Sequence, residues 1–155
     1  MKPTLTLLIG PPLSGKDTFL QNNLKGQEII SRDNILMSLV NHNDYSLAFR
    51  TVDQSLVDKL LKETINKAIQ DRKDVVINMT NLSKNGRRRF LQMSSNDYSK
   101  TAIVFPKLDM EIYKERNLKR QTEENKFIPL GVIQDMISRW EEVSYDEGFD
   151  NIIKL

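Results

Sequence analysis

Gly10-Pro11-Pro12-Leu13-Ser14-Gly15-Lys16-Asp17-Thr18 has the G-x-x-x-x-G-K spacing of a phosphate-binding loop, directly behind the apolar run Thr4-Leu5-Thr6-Leu7-Leu8-Ile9. A short buried strand that feeds a glycine-containing turn, which in turn opens a helix, aims several backbone N–H groups and a helix N-terminus at one point. That arrangement suits a polyphosphate. Gly10, Pro12, Ser14 and Gly15 would shape the cradle, Lys16 would supply a point charge to the β- and γ-phosphates, and a nearby hydroxyl would hold Mg²⁺. The pattern asks for Ser or Thr after the lysine, and this chain has Asp17 there with Thr18 following. A carboxylate beside a triphosphate is repelled unless a cation sits between them, so Asp17 is expected to ligate Mg²⁺ directly or through water. Thr18 is the alternative donor, and a plain helix N-cap is the competing reading of Asp17.

Three further clusters could complete a phosphoryl-transfer site. In Ser31-Arg32-Asp33-Asn34, at the end of a short strand, Asp33 can face the γ-phosphate from the acceptor side and take the proton of an attacking hydroxyl. A cap on the following helix is the simpler role for the same carboxylate. In Asn78-Met79-Thr80-Asn81-Leu82, Thr80 and Asn81 offer small hydrogen-bonding groups, and Arg87-Arg88-Arg89 follow at the start of the next helix. Cations at a helix N-terminus oppose the macrodipole, so an anionic partner would relieve a local cost, although such a triplet also serves as a solvated face. Arg116 and Arg120 stand at i and i+4 on one helical face. Arginines delivered there by a closing segment would stabilise the negative charge that spreads over a transferring phosphoryl group.

Strands alternating with helices must position these residues. The periodicity predicts helices over 17–23, 33–40, 47–69, 83–94, 109–121 and 129–145, with Asp33 or Asn34 near the cap of the second. Strands are predicted at 4–9, 28–31, 74–78, 101–105 and, as a short edge, 151–154. Continuous apolar strands separated by helices imply a parallel sheet covered on both faces, with ligands collecting at the carboxyl ends of the strands. Residues 121–126 lose apolar periodicity before Pro129 and read as the mobile turn of a lid spanning about 116–128.

Composition sets the limits. The chain of 155 residues is expected to form one domain, 1–155, and its 39% hydrophobic and 28% charged content is ordinary for a globular protein. Zero cysteines exclude disulfides and thiolate metal sites, and the lone His42 excludes a histidine cluster, which fits the cytoplasm. No apolar run reaches the length of a membrane span, so no membrane partner is expected. A net charge of +2 implies no polyanion partner by itself, so any nucleic-acid contact must come from a local basic patch. Oligomeric state is not readable.

The phosphate loop, Ser31-Arg32-Asp33, Thr80-Asn81-Leu82 with its arginines, Arg116-Asn117-x-x-Arg120 and Glu147-Gly148-Phe149-Asp150 occur in the order seen in phage polynucleotide 5′-kinases. End to end, the chain resembles the kinase domain of that P-loop family. The resemblance implies an α/β fold: a P-loop NTPase-type three-layer sandwich with a central parallel sheet of about five strands and a small helical lid. It also implies transfer of the γ-phosphate of ATP, with Mg²⁺, to the 5′-hydroxyl end of DNA or RNA, in the host cytoplasm if the chain is phage-encoded. By that match Lys16 holds the phosphates, Asp33 is the general base, Thr80 sits in the acceptor site, and Arg116 and Arg120 are the lid arginines; Arg32, Asn81, Arg87 and Arg88 are further acceptor-side candidates. Three departures stand out: Asp17, Leu36 where the family has an acceptor-binding arginine, and Met79 where it has an aspartate. The missing charges leave a second expectation open, a kinase of a nucleoside, a small metabolite or a hydroxymethylated base in DNA. An inactive nucleotide-binding protein is a third.

Overall fold

The computed structural model describes residues 2–23, 26–124 and 126–155. Its centre is strand β1 (Thr4–Ile9), in which Leu5, Leu7, Leu8 and Ile9 are all fully removed from water. A strand apolar on both faces can be satisfied only with layers above and below it. β1 lies between β3 (Val75–Ile77) and β4 (Ser99–Val104), with Leu7 in register with Ile77 on one side and Ala102 on the other. Strands β2 (Glu28–Ile30) and β5 (Asn151–Lys154) form the edges, giving a five-stranded parallel sheet in the order β2-β3-β1-β4-β5.

Strand order dictates where the helices go. From β1 the chain steps outward to β2, and every later crossover runs in the opposite direction, so right-handed connections put the first helix on one face and the rest on the other. Helix α1 (Lys16–Asn23) accordingly packs Phe19 and Leu20 on Leu8, Val76, Ile103 and Phe105, with the Phe19 and Phe105 rings edge to face at 5.6 Å. On the opposite face, α4 (Gln54–Gln70) and α5 (Lys84–Leu91) bring Leu61, Ile65, Phe90 and Leu91 onto Leu5, Leu7, Val75 and Ile77. Helices α2 (Arg32–Ser38) and α3 (Tyr45–Thr51) lie at the start of α4, closed around Leu36, Ala48 and Val57. Helices α6 (Met110–Glu124) and α7 (Leu130–Ser138) connect β4 to β5. The result is the α/β three-layer sandwich of P-loop NTPases.

Several boundaries depart from the periodicity for identifiable reasons. The helix predicted over 47–69 is two: it breaks at Val52, and Asp53 restarts it by accepting a hydrogen bond from the Ser55 N–H. Helix α2 is capped by neither Asp33 nor Asn34 but by Ser31, whose hydroxyl accepts from Asn34 N at 3.0 Å. The helix predicted over 129–145 ends at Ser138, because beyond it the backbone is claimed by tertiary hydrogen bonds: Glu141 N donates to Leu82 O, and Glu141 and Glu142 carbonyls accept from Arg87. In place of a loose turn over 121–126, α6 continues to Glu124, and Asn125 of that segment lies outside the described residues. Among the described residues no helix is long and apolar enough to cross a membrane.

Candidate active site

The turn between β1 and α1 is left-handed at Leu13 (φ 70°) and Gly15 (φ 96°). This alternation curls backbone N–H groups toward a common concavity of the kind that takes an anion. Internal bonds hold its shape. The Ser14 hydroxyl donates to Pro11 O at 2.6 Å, Gly10 N donates to Thr80 O at 3.0 Å, and Lys16 Nζ donates to the carbonyls of Gly10 (2.6 Å) and Pro11 (2.9 Å). A Cβ on Gly10 would lie 3.0 Å from both Phe105 Cβ and Ser14 Oγ, so the loop backbone runs close against β4.

Lys16 reports on its neighbours. Burial lowers its pKa from 10.5 to about 8; Asp17 acts against that shift, Arg120 adds to it, and Asp33 opposes it. Asp17, Asp33 and Arg120 of α6 thus lie within electrostatic reach of one ammonium. With a folded value below the unfolded one, this group's contribution to stability rises with pH between about 8 and 10.5. A polyphosphate held by the loop would favour the protonated amine, so its affinity would fall as pH climbs through 8, with proton uptake on binding. Calorimetry at pH 8.5 in buffers of different ionisation enthalpy measures the uptake, and buffer-independent heats would contradict it.

The carboxylates differ in setting. Asp17 lies in the first turn of α1, where its Oδ1 accepts from Asn78 Nδ2 at 3.1 Å, tying it to the carboxyl end of β3. Thr18 is exposed one residue on. Mg²⁺ on a nucleotide uses one or two protein oxygens and completes its shell with phosphate and water. A single carboxylate with a neighbouring hydroxyl fits that demand, and the described residues contain no group of three His, Cys, Asp or Glu that would form a self-sufficient metal centre. Asp33 sits in the first turn of α2, relieved of capping by Ser31, and its Oδ1 accepts the Tyr45 hydroxyl at 2.9 Å. Burial, then Asp33, pushes Tyr45 up to about 12, so it stays a donor. Lys126 Nζ lies 5.2 Å from the Tyr45 ring centroid. Neither motif nor spacing signals Tyr45, which lies ahead of the helix predicted over 47–69 and opens α3 in the structure.

Helix α6 leans over the loop. Arg116 Nη1 donates to Leu13 O at 2.7 Å, and Arg120, one turn on, pairs with Glu124 at 3.5 Å and acts electrostatically on both Lys16 and Tyr45. Between them Asn117 is buried. Its carboxamide accepts from Ile128 N at 3.1 Å and donates to Ile128 O at 2.5 Å, stapling the return segment to the helix that carries both arginines.

Other expected acceptor groups are placed elsewhere. Arg87 is fully buried and cannot meet a ligand from the crevice. Its Nε donates to Glu147 at 2.8 Å, Nη1 to the carbonyls of Asn81 and Leu82, and Nη2 to Glu141 O, Glu142 O and Glu147. The run expected at the helix start lies further along α5, with Arg88 and Arg89 in its last turn, and the anion that answers Arg87 is Glu147, inside the fold. Asn81 is buried, with φ 50°, and its amide donates to Leu8 O at 2.7 Å, locking the β3 exit loop to β1 instead of facing an acceptor. Arg32 turns toward α4, donating to Asp58 (3.1 Å) and Gln54 O (3.3 Å). Arg88 is exposed in the last turn of α5, where a cation favours the helix dipole. Leu36 is buried in the small core around α3, and Met79 packs on the main core. The structure thus gathers Lys16, Asp17, Asp33, Arg116, Arg120 and Thr80 at the carboxyl edge of the sheet, and leaves Arg87 and Asn81 out.

Comparison with solved structures gives the same fold repeatedly. A chain of the Pnkp1/Rnl/Hen1 RNA repair complex superposes with a TM-score of 0.72 at 22% identity over 90% of this chain and 44% of its own length. A sugar kinase from Janibacter sp. HTCC2649 gives 0.63 at 18% identity, covering 99% of this chain and 84% of that one. Shikimate kinase from Acinetobacter baumannii gives 0.57 at 15%, again over 99% and 84%. The chain therefore spans less than half of the RNA repair protein and most of each small-molecule kinase. No curated protein sequence matches it. The family model for the AAA domain matches residues 5–143, from the first strand to the segment held by Arg87, and the chain belongs to the AAA domain family.

Proposed function

We propose that this protein is an ATP- and Mg²⁺-dependent kinase that phosphorylates a hydroxyl group. The observation that carries the proposal is the joint placement of a half-buried lysine in a phosphate-type loop, the α6 arginine pair and a first-turn carboxylate not spent on capping its helix, within reach of one another. The loop from Gly10 to Thr18, with Pro12, Ser14 and Gly15, would cradle the phosphates, and Asp17 with Thr18 would hold Mg²⁺, which supplies charge neutralisation at the β- and γ-oxygens. Asp33 would accept the proton of the attacking hydroxyl, while Lys16, Arg116 and Arg120 hold the transferring group. Most of the rate gain then comes from positioning and charge stabilisation.

The acceptor best suited to the site is a nucleoside, a small metabolite or a hydroxymethylated base in DNA. Beside Asp33 the site offers the Tyr45 hydroxyl, with Phe49 packed near the Tyr45 ring, and two of the cations expected on the acceptor side are engaged elsewhere, since Arg87 is internal and Arg32 is drawn to α4. The kinases of which this chain spans 84% act, by name, on a sugar and on shikimate. A 5′-hydroxyl end of DNA or RNA is the second reading, favoured by the RNA repair likeness and the motif order. Incubation with γ-labelled ATP, Mg²⁺ and parallel acceptors (nucleosides, sugars, 5′-OH oligonucleotides of both sugars) tests both. Label on a small acceptor supports the first reading, label only on oligonucleotide ends overturns it in favour of the second, and ATP binding with no transfer to any hydroxyl overturns the kinase itself.

Tyr45 would act as a positioning residue for Asp33. Tyr45→Phe should lower kcat by about tenfold, the value of one hydrogen bond to a charged group, with KM for ATP unchanged. A change in KM for ATP alone would contradict this role.

A further inference from the structure

Away from the P-loop crevice, a cleft of about 860 Å³ lies between α4 and α5. Leu61, Phe90 and Met93 form its floor, and Lys59, Lys62, Arg88 and Arg89 line its walls. Asp58 is the one carboxylate in the lining, and it is already paired with Arg32 at 3.1 Å. None of the four cations takes part in an ion pair among the described residues. Concentrating four unpaired cations on two facing helices costs self-repulsion, which a neutral occupant would not relieve and a polyanion would.

The topology fixes the direction of the cleft. Helix α4 ends just before β3 begins and α5 starts just after β3 ends, so both helices have their N-termini at the carboxyl edge of the sheet. The cleft opens at that edge with Asp58 and Asn85, where Arg32 reaches Asp58, and runs down the face past Lys62 and Gln92. Helix α5, at eight residues, is about 12 Å long, enough for a short run of phosphates in a row. The exposed guanidinium planes of Arg88 and Arg89, the latter lying 4.6 Å from the Phe90 ring centroid, suit unstacked bases, which a duplex does not present.

We propose that the α4–α5 cleft binds the phosphodiester backbone of a single-stranded nucleic acid. The assignment goes beyond the kinase reading, since it rests on the cleft alone and holds whether the phosphorylated hydroxyl lies on that strand or elsewhere.

Fluorescence anisotropy of labelled single-stranded DNA and RNA 20-mers, without ATP, tests it independently of phosphoryl transfer. The wild type should bind with a steep salt dependence, and a Lys62→Glu/Arg88→Glu double variant should bind at least about tenfold more weakly. Its log–log salt slope should be shallower by about 1.4, as expected for two lost contacts to a single strand. Both side chains are exposed, and an unchanged thermal melt shows that the variant is folded. A Lys62→Arg/Arg88→Lys variant should retain binding. The proposal is overturned if the wild type does not bind single strands, if the double variant binds with the same affinity and slope, or if polyglutamate or duplex competes as well as the single strand.

Discussion

Substituting Asp33 with asparagine will lower phosphoryl transfer by about 10²- to 10⁴-fold, the usual worth of a general base, and leave ATP affinity within about twofold. The expectation follows from how α2 begins. Ser31 caps the helix, so the Asp33 carboxylate is not spent on the orphan N–H groups, and its one side-chain partner among the described residues is the Tyr45 hydroxyl. Removing a first-turn charge forfeits only about 0.3–1 kcal/mol of helix-dipole interaction, too little to unfold the protein. A large loss of rate with an unchanged melt therefore isolates the chemistry. Single-turnover transfer, with nucleotide binding measured alongside, reads both quantities, and full activity in the variant would remove Asp33 from the mechanism.

Replacing Arg87 with methionine should instead act on stability, by about 3–5 kcal/mol, because it leaves Glu147 buried without its partner and strips donors from four carbonyls. For a domain of this size each kcal/mol lowers Tm by about 2–4 °C, so a fall of roughly 6–20 °C is expected. Adding Glu147→Gln to Arg87→Met should recover part of that loss, since the uncompensated charge disappears. If Arg87 bound the acceptor, Tm would hold and KM for the acceptor would rise, which is the contrary result.

These two residues mark what the sequence makes legible. The phosphate loop is local: its glycines, lysine, preceding strand and following helix sit within twenty residues, so spacing alone conveys the geometry. The parallel sheet is legible for a similar reason, because β1 and β3 bury apolar residues on both faces and β4 ends in Ala102-Ile103-Val104, which demands cover above and below. Arg87 is different. Its partner lies 60 residues away, and nothing in an Arg-Arg-Arg run tells the buried member from the exposed ones. Tyr45 meets Asp33 only because α2 and α3 fold back on each other. The break at Val52 was signalled by Asp53 and Ser55, a helix-start pattern, but the apolar periodicity on either side ran straight across it. Past Ser138 the helix gives way to hydrogen bonds supplied by Arg87 and Leu82, which no window of local sequence contains.

The claim beneath the functional account is that a nucleotide's terminal phosphate, held by Lys16, faces residue 33. The chain has no cysteine, so an Asp33→Cys variant carries a single thiol. Treating it with an ATP analogue that bears a thiol-reactive group on the γ-phosphate measures the facing directly. Rapid stoichiometric labelling, blocked by excess ATP and lost when Lys16→Ala is added, is the result expected. Labelling no faster than that of an Asp97→Cys variant on the far side of the sheet, or unaffected by ATP, would contradict the account.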